Sequence, residues 1–276
     1  MPVPSSASAT PLALTLPPAA PEASGDRLPV DAPSPTPHTT NPAPSRDRLI
    51  ITIDGPAGTG KSSVARSLAA RLGLEFLDTG AMYRAAAALA LDARLTPADV
   101  APVCALLAAA DLHFDWTRDP PEILANNRSL AARIRDADVT ALVSPLAGIA
   151  ELREHMVRKQ RLIGAQHPRL VAEGRDQGSV VFPDADVKFY LDADPRVRAA
   201  RRADQLRASG APGEIQEDAL LAEIIQRDRS DRSRPVGPLV QPRDALVVDT
   251  SALTFDQVVD RLEHLVRSRT PGRLRP

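Results

Sequence analysis

A glycine-rich loop between an apolar run and a helical stretch constrains the fold of this chain more than any other feature. The run Leu49–Asp54 is short and β-branched, which is typical of a strand buried on both faces. Residues 62–72 place apolar side chains at every fourth position, as on one face of a helix. Between them, residues 55–62 read GPAGTGKS and match the pattern G-x-x-x-x-G-K-[S/T]. This order predicts a phosphate-binding loop at a helix N-terminus.

The loop residues predict a site for the phosphates of a nucleotide. Backbone N–H groups surround the phosphates, Lys61 reaches the β- and γ-phosphates, and the Ser62 hydroxyl serves as a ligand to Mg²⁺. The predicted nucleotide-binding residues are Gly55, Pro56, Ala57, Gly58, Thr59, Gly60, Lys61, Ser62 and Ser63.

Loops of this kind occur in GTPases, motor ATPases, regulatory modules and small-molecule kinases. A GTPase needs a guanine-reading N-K-x-D tetrapeptide, which this sequence lacks. Motor ATPases usually carry two acids after an apolar strand, whereas the strand ending at Asp192 continues with Ala193. A small-molecule kinase fits better, because phosphoryl transfer between free nucleotides requires closure against water.

Four further apolar runs have the length of buried strands, at residues 75–78, 169–173, 187–192 and 245–249. Helical stretches lie between them, and parallel strands need helix-length crossovers. The sequence therefore predicts an α/β fold of the P-loop NTPase type, with a five-stranded parallel sheet and helices on both faces.

An insert from about residue 96 to residue 161 interrupts this alternation. Within it, residues 112–116 are predicted as a strand and residues 123–130 as a hairpin. The hairpin turns at Asn126-Asn127, because asparagine tolerates the positive φ of a tight turn.

The remaining segments predict a lid and two flexible ends. Residues from about 205 to 241 are rich in Gly, Pro and Arg beside a helical stretch at 219–227, which indicates a mobile, Arg-rich lid. Twelve of the 27 prolines lie in residues 1–46, predicting a disordered tail. The predicted kinase domain is 47–269, followed by a flexible C-terminus at 270–276.

Composition narrows the classes of function. The 34 Lys and Arg residues nearly balance 35 Asp and Glu residues, giving a formal charge of −1, which argues against a polyelectrolyte-like nucleic-acid binder. No uncharged apolar run approaches the roughly 20 residues of a membrane helix. The single Cys104 cannot form an internal disulfide, so a reducing, cytoplasmic setting is expected. We also expect a monomer.

Several blocks in order resemble the bacterial cytidylate kinases, within the P-loop nucleoside monophosphate kinases, over nearly all of residues 50–265. The blocks are ITIDGPAGTGKSS at 51–63, LDTGAMYRA at 77–85, EGRDQGSVVFPDADVKFYLDA at 173–193, RDRSDRSRPVGPL at 227–239 and VVDTSALTFDQVVDRL at 247–262. The resemblance implies a five-stranded sheet with an NMP-binding insert and a lid. It also implies transfer of the ATP γ-phosphoryl group to CMP or dCMP with Mg²⁺, in pyrimidine nucleotide metabolism. By the same resemblance, Ser63 or water is the alternative to Ser62 as the magnesium ligand.

The resemblance extends residue by residue to an acceptor site. The matching positions are Thr79, Tyr83, Arg84, Ser144, Arg153, Arg175, Asp176, Arg227, Asp231 and Arg234. By this resemblance Arg84 and Arg175 bind phosphate, and Asp176 accepts a hydrogen bond from the cytosine amino group. For Tyr83 a packing role is the alternative, and Arg175-Asp176 could be a surface ion pair.

The other positions are assigned by the same resemblance. Ser144 and Arg153 read the base, although a solvated helix face explains Arg153 almost as well. Arg227 and Asp231 lie near the ribose, and Arg234 lies near the transferred phosphoryl group, with a self-satisfied ion-pair network as the alternative. The expected catalytic residues are Lys61, Arg175 and Arg234. No general base is predicted, because the acceptor oxygen is already ionised.

Two other functions stay open at this level. One is a P-loop kinase for another small acceptor, such as shikimate or a different nucleoside monophosphate. The other is a catalytically silent nucleotide-binding regulator, which would bind ATP without CMP-dependent ADP release.

Overall fold

The computed structural model describes residues 47–210 and 213–274, and the tail predicted at 1–46 lies outside these ranges. In chain order the elements are β1 (Leu49–Asp54), α1 (Lys61–Leu72), β2 (Glu75–Asp78), α2 (Thr79–Asp92), α3 (Val100–Ala109), β3 (Leu112–Asp115), β4 (Glu122–Ala125), β5 (Arg128–Ser129), α4 (Ala137–Leu146), α5 (Ala150–Gln166), β6 (Arg169–Glu173), β7 (Val187–Asp192), α6 (Pro195–Ala208), α7 (Glu217–Ser233), β8 (Leu246–Asp249) and α8 (Phe255–Arg269).

The central sheet has five parallel strands in the order β2-β6-β1-β7-β8, so the predicted fold class is confirmed. Strand β1 lies in the middle, where Ile51 pairs with Val171 of β6 and with Val187 of β7. All six residues of β1 are buried, which explains its continuous apolar sequence.

Side chains of β1 alternate between two apolar cores. Ile50 packs into the core on the side of α2 and the insert, whereas Ile51 and Ile53 pack against α1 and α8 on the other face. This alternation follows from the two-residue period of a strand. Helices therefore cover both faces of the sheet, as the sequence predicts.

The insert contains a second, antiparallel sheet of β3, β4 and β5. Asn126 and Asn127 turn the hairpin with φ values of 50° and 60°, at the position that the sequence predicts. The Trp116 ring, which follows β3, stacks on His167 with ring centroids 3.9 Å apart. This contact packs the insert against the segment that leads into β6.

The lid region contains a longer helix than the sequence predicts, because α7 extends to Ser233 rather than ending near residue 227. The segment 227–234 contains four Arg and two Asp, and charges of opposite sign three or four positions apart stabilise a helix. After α8, Thr270 is buried and the Arg273 guanidinium contacts the Asp186 carboxylate at 2.6 Å. The domain bounds and the mobility of the lid and C-terminus stay predictions. Within the described ranges no helix is long and apolar enough to cross a membrane.

Candidate active site

The phosphate loop, residues 55–62, leaves β1 at the carboxyl edge of the sheet and leads into α1. Gly55 has φ +148°, and a Cβ there would lie 2.1 Å from the carbonyl oxygen of Leu191, so only glycine fits. The N–H groups of residues 58–63 form no hydrogen bond with any residue that the structure describes. These groups are therefore available to an anion at the N-terminus of α1.

Lys61 is folded back onto the loop that carries it. Its ammonium group donates to the carbonyl oxygen of Pro56 at 2.6 Å and to Thr59 Oγ1 at 3.4 Å, and only 5% of the residue is exposed. Burial, together with the nearby Arg175, lowers the pKa of Lys61 to about 7. A phosphate oxygen beside this lysine would stabilise its charged form.

Glu173 ends β6 beside the phosphate loop and was missed by the sequence analysis. The Ser62 hydroxyl donates to Glu173 Oε1 at 2.8 Å, and Thr79 Oγ1 donates to the Glu173 carbonyl at 2.7 Å. Burial and the Glu173 carboxylate raise the pKa of Asp78 to about 7. An apolar strand that ends in an acid is the sequence signal for Glu173, but the strand that ends at Asp192 carries the same signal.

A cavity lined by arginines lies between the carboxyl ends of β2 and β6 and helices α4 and α7. We call it the arginine cavity. Of the ten predicted acceptor-site residues, nine line it: Thr79, Tyr83, Ser144, Arg153, Arg175, Asp176, Arg227, Asp231 and Arg234. Gly80, Val143, Ala147, Glu173 and Gly174 complete the lining. The fold thus brings together residues from four separate parts of the chain.

Arg84 is the predicted residue that does not line the arginine cavity. Its guanidinium donates to Thr140 Oγ1 at 2.8 Å and to the Ile134 carbonyl at 3.2 Å, both in the insert. Burial lowers the pKa of Arg84, and the neighbouring Arg135 has the same effect. In this arrangement Arg84 connects α2 to the insert.

Several guanidinium N–H groups in the arginine cavity are buried without a hydrogen-bond acceptor among the described residues. They are Nε of Arg153, Nε of Arg227, and Nε and Nη2 of Arg234. Buried donors are nearly always paired in folded proteins, so these four donors are available to water or to an acceptor-rich ligand. Burial and Arg175 lower the pKa of Arg227 to about 10, which is consistent with an excess of positive charge.

The base-reading candidates form one buried ion pair. Arg153 contacts the Asp176 carboxylate, and the two residues are only 2% and 3% exposed. The Arg153 guanidinium also lies 5.5 Å from the centre of the Tyr83 ring. The alternative of a solvated helix face for Arg153 is therefore wrong.

Arg175 pairs with a lid residue rather than with its neighbour Asp176. Its Nε donates to Asp231 Oδ2 at 2.9 Å, and Arg234 lies 3.7 Å from the same carboxylate. The alternative of a surface ion pair between Arg175 and Asp176 is therefore wrong. Asp231 connects the lid helix α7 to the loop after β6.

Asp54 holds the loop that carries Arg175 and Asp176, and the sequence analysis missed it. Its two carboxylate oxygens accept from the backbone N–H groups of Gln177 and Gly178 at 2.8 and 2.7 Å. Burial raises the pKa of Asp54 to about 7, although the two backbone hydrogen bonds oppose this rise.

A second cavity, also not predicted, lies at the carboxyl ends of β7 and β8. It is lined by Asp192, Ala193, Asp194, Pro195, Arg198, Ile225, Asp228, Arg229, Arg232, Val247, Asp249 and Ser251. Asp228 also contacts the phosphate loop, since it accepts from the Ala57 N–H at 3.3 Å. The phosphate loop thus has a cavity on the side of β7 and the arginine cavity on the side of β6.

A phosphate loop on a parallel sheet beside an arginine-lined cavity defines a P-loop protein built to bind two phosphorylated ligands. The family model described as Cytidylate kinase matches residues 51–268. The chain belongs to the cytidylate kinase family.

Curated relatives match most of the chain. A cytidylate kinase from Corynebacterium glutamicum is 44% identical over 80% of this chain and 95% of its own length. One from Mycobacterium avium is 42% identical over 80% of this chain and 96% of its own length. A bifunctional pantoate ligase/cytidylate kinase from Thermosynechococcus vestitus is 42% identical over 82% of this chain and 44% of that longer protein.

Replacing Asp54 with Asn should change how stability depends on pH. The pKa of Asp54 is about 7 in the folded protein against an ordinary value of 3.8, so the folded state binds the extra proton between these values. The wild-type protein therefore loses about 2 kcal/mol of stability from this group as the pH rises from about 5 to 7.

Asp54→Asn should abolish this loss of stability between about pH 5 and 7, whereas the control Asp218→Asn, at an exposed carboxylate, should retain it. Urea unfolding at three pH values across this window measures the effect. Equal pH dependence in Asp54→Asn and the wild type would show that Asp54 is ionised throughout.

Proposed function

We propose that this protein transfers the γ-phosphoryl group of ATP to CMP and dCMP with Mg²⁺, forming CDP and dCDP. The observation that carries the proposal is a set of buried guanidinium N–H groups in the arginine cavity, beside the phosphate loop, that have no acceptor within residues 47–210 and 213–274. The family and its curated relatives at 42–44% identity support a nucleotide acceptor.

The phosphate loop would bind the donor. The unpaired N–H groups of residues 58–63 would surround the ATP phosphates, and Lys61 would leave the Pro56 carbonyl for a phosphate oxygen. Gly55, Pro56 and Ala57 would support this loop. The second cavity, on the side of β7, offers space for the base of the donor.

The residues beside the loop fit magnesium. Ser62 Oγ and Glu173 Oε1 place two oxygen donors 2.8 Å apart, and oxygen is the ligand that Mg²⁺ prefers. No group of three or more His, Cys, Asp or Glu in the described ranges could hold a metal alone. This agrees with an ion that takes its other ligands from phosphates and water. When bound, the ion would neutralise charge on the transferred phosphoryl group.

The arginine cavity would bind the acceptor. Arg175, Arg227 and Arg234 would donate to its phosphate, and Asp231 would accept from a ribose hydroxyl. Asp176 would accept from the cytosine amino group, while Arg153 and Ser144 would donate to the other polar atoms of the base. Thr79 and Tyr83 would line the pocket, and Arg84 would reach the phosphate only by leaving Thr140.

The chemistry requires positioning rather than proton transfer. The attacking oxygen belongs to a phosphate that is ionised at neutral pH, so no general base is needed. Lys61, Arg175 and Arg234 would stabilise the charge that develops between donor and acceptor. The helix α7 supplies Arg227, Asp231 and the adjoining Arg234, so it would also exclude water from the reaction.

The cellular setting is part of the proposal. The single cysteine, Cys104, calls for no oxidising compartment, which supports a cytoplasmic enzyme of pyrimidine nucleotide metabolism. It would act as a monomer on free nucleotides, without nucleic acid or membrane partners.

Coupled measurement of ADP production with CMP, dCMP, UMP, AMP and shikimate as acceptors tests this function. We expect turnover with CMP and dCMP and far less with the other acceptors. Preference for AMP or shikimate would identify another small-molecule kinase. ATP binding without turnover of any acceptor would identify a regulator.

Lys61→Met should reduce kcat by roughly 100-fold or more while leaving the fold intact, because the main cation at the phosphates is lost. Burial lowers the pKa of Lys61 to about 7, so its charged form costs stability, and the variant should melt at the same or a higher temperature. Lys159→Met in α5 serves as the control. Wild-type turnover by Lys61→Met would remove Lys61 from the catalytic residues.

Asp176→Asn should narrow the preference for CMP over UMP by roughly 100-fold, measured as the ratio of kcat/KM values. The carboxylate accepts from the amino group of cytosine, whereas an amide can also donate to the carbonyl oxygen of uracil. Asp138→Asn, which breaks an exposed carboxylate–arginine pair in the insert, is the matched control. An equal loss for both nucleotides would exclude Asp176 from base reading.

A further inference from the structure

Ala57 in the phosphate loop is bonded on both sides by a buried ion pair. Its carbonyl oxygen accepts from Arg198 Nη1 at 2.9 Å, and its N–H donates to Asp228 Oδ1 at 3.3 Å. Arg198 and Asp228 pair with each other at 2.7 Å, and the two side chains are only 3% and 4% exposed. We call these contacts the Ala57 anchor.

The anchor joins the phosphate loop to two other helices. Arg198 belongs to α6 and Asp228 to α7, and Arg198 Nε also donates to the Ala193 carbonyl after β7 at 3.0 Å. A Cβ at Gly58 would lie 3.2 Å from Arg198 Cβ, so the loop packs closely against α6. The outer side of the loop is therefore held by residues far away in sequence.

The Ala57 anchor and the predicted anion site use different N–H groups of the phosphate loop. The Ala57 N–H points toward Asp228, whereas the N–H groups of residues 58–63 form no hydrogen bond with any described residue. The Ala57 N–H and the Ala57 carbonyl belong to the two peptide groups on either side of its Cα. Because each group is planar, holding both limits the orientations of the peptides that follow. The anchor thus determines where the six free N–H groups point.

We propose that Arg198 and Asp228 are positioning residues that set the shape of the phosphate loop for the donor triphosphate. The proposal rests on the proposed function, since it concerns the ATP side of that site. A buried ion pair contributes little to stability, because desolvation offsets its attraction, so a role in geometry accounts for its placement.

The test is the affinity of Asp228→Asn for the β,γ-imido analogue of ATP with Mg²⁺, measured by titration calorimetry. We expect the dissociation constant to rise roughly tenfold or more, because small misplacements of binding groups are costly. The dissociation constant for CMP should change by less than about twofold. In turnover, KM for ATP should rise more than KM for CMP.

Two further variants control for folding. Asp218→Asn removes an exposed carboxylate from the same helix and should leave both affinities unchanged. The double variant Arg198→Gln/Asp228→Asn leaves no unpaired buried charge, so it should fold and still bind the analogue weakly.

Unchanged analogue affinity in a folded anchor variant, with only a lower melting temperature, would overturn the proposal. Equal losses for the analogue and CMP would overturn it as well, because they indicate a general structural role. Analogue binding needs no turnover. Failure of the wild type to phosphorylate CMP would therefore refute the proposed function without affecting this comparison.

Discussion

Parallel pairing of β1 between β6 and β7 is the constraint on which the rest of the structure depends. The register aligns Ile53 with Glu173, so both strands end at the same edge of the sheet. The phosphate loop follows β1, and Arg175-Asp176 follow β6, so the phosphate loop and the arginine cavity become neighbours. The Asp54 carboxylate then bonds the second loop directly.

The charge distribution of the arginine cavity favours an anionic ligand. The arginine cavity is lined by four arginines and three acids, and several guanidinium N–H groups lack an acceptor in the described part of the chain. Desolvation of these cations is unfavourable without a ligand, and a phosphate supplies both the missing charge and the missing acceptors. The lowered pKa values of Lys61 and Arg227 have the same origin.

Local patterns predicted the elements well, and long-range contacts account for what they missed. The five strands, the loop before α1 and the turn at Asn126-Asn127 depend on residues close in sequence. Glu173 accepts a hydrogen bond from Ser62, and Asp54 accepts one from the backbone N–H of Gln177. Each pair lies more than 100 positions apart in the sequence. The periodicity of apolar residues carries no information on such partners. Helix α7 extends beyond its predicted end near residue 227 because its charged side chains stabilise a helix.

The sequence by itself determined the phosphate loop and the alternation of strands and helices, and several motifs in order determined the family. Each of these features depends on residues that are close together in the sequence. Only the tertiary structure decided which arginine meets which acid. Arg153 pairs with Asp176, Arg175 with Asp231 and Arg198 with Asp228, whereas Arg84 turns to the insert. Every arginine carries the same guanidinium group, so the sequence does not indicate which acid each one pairs with. The partners depend on which strand ends and helices the fold brings together.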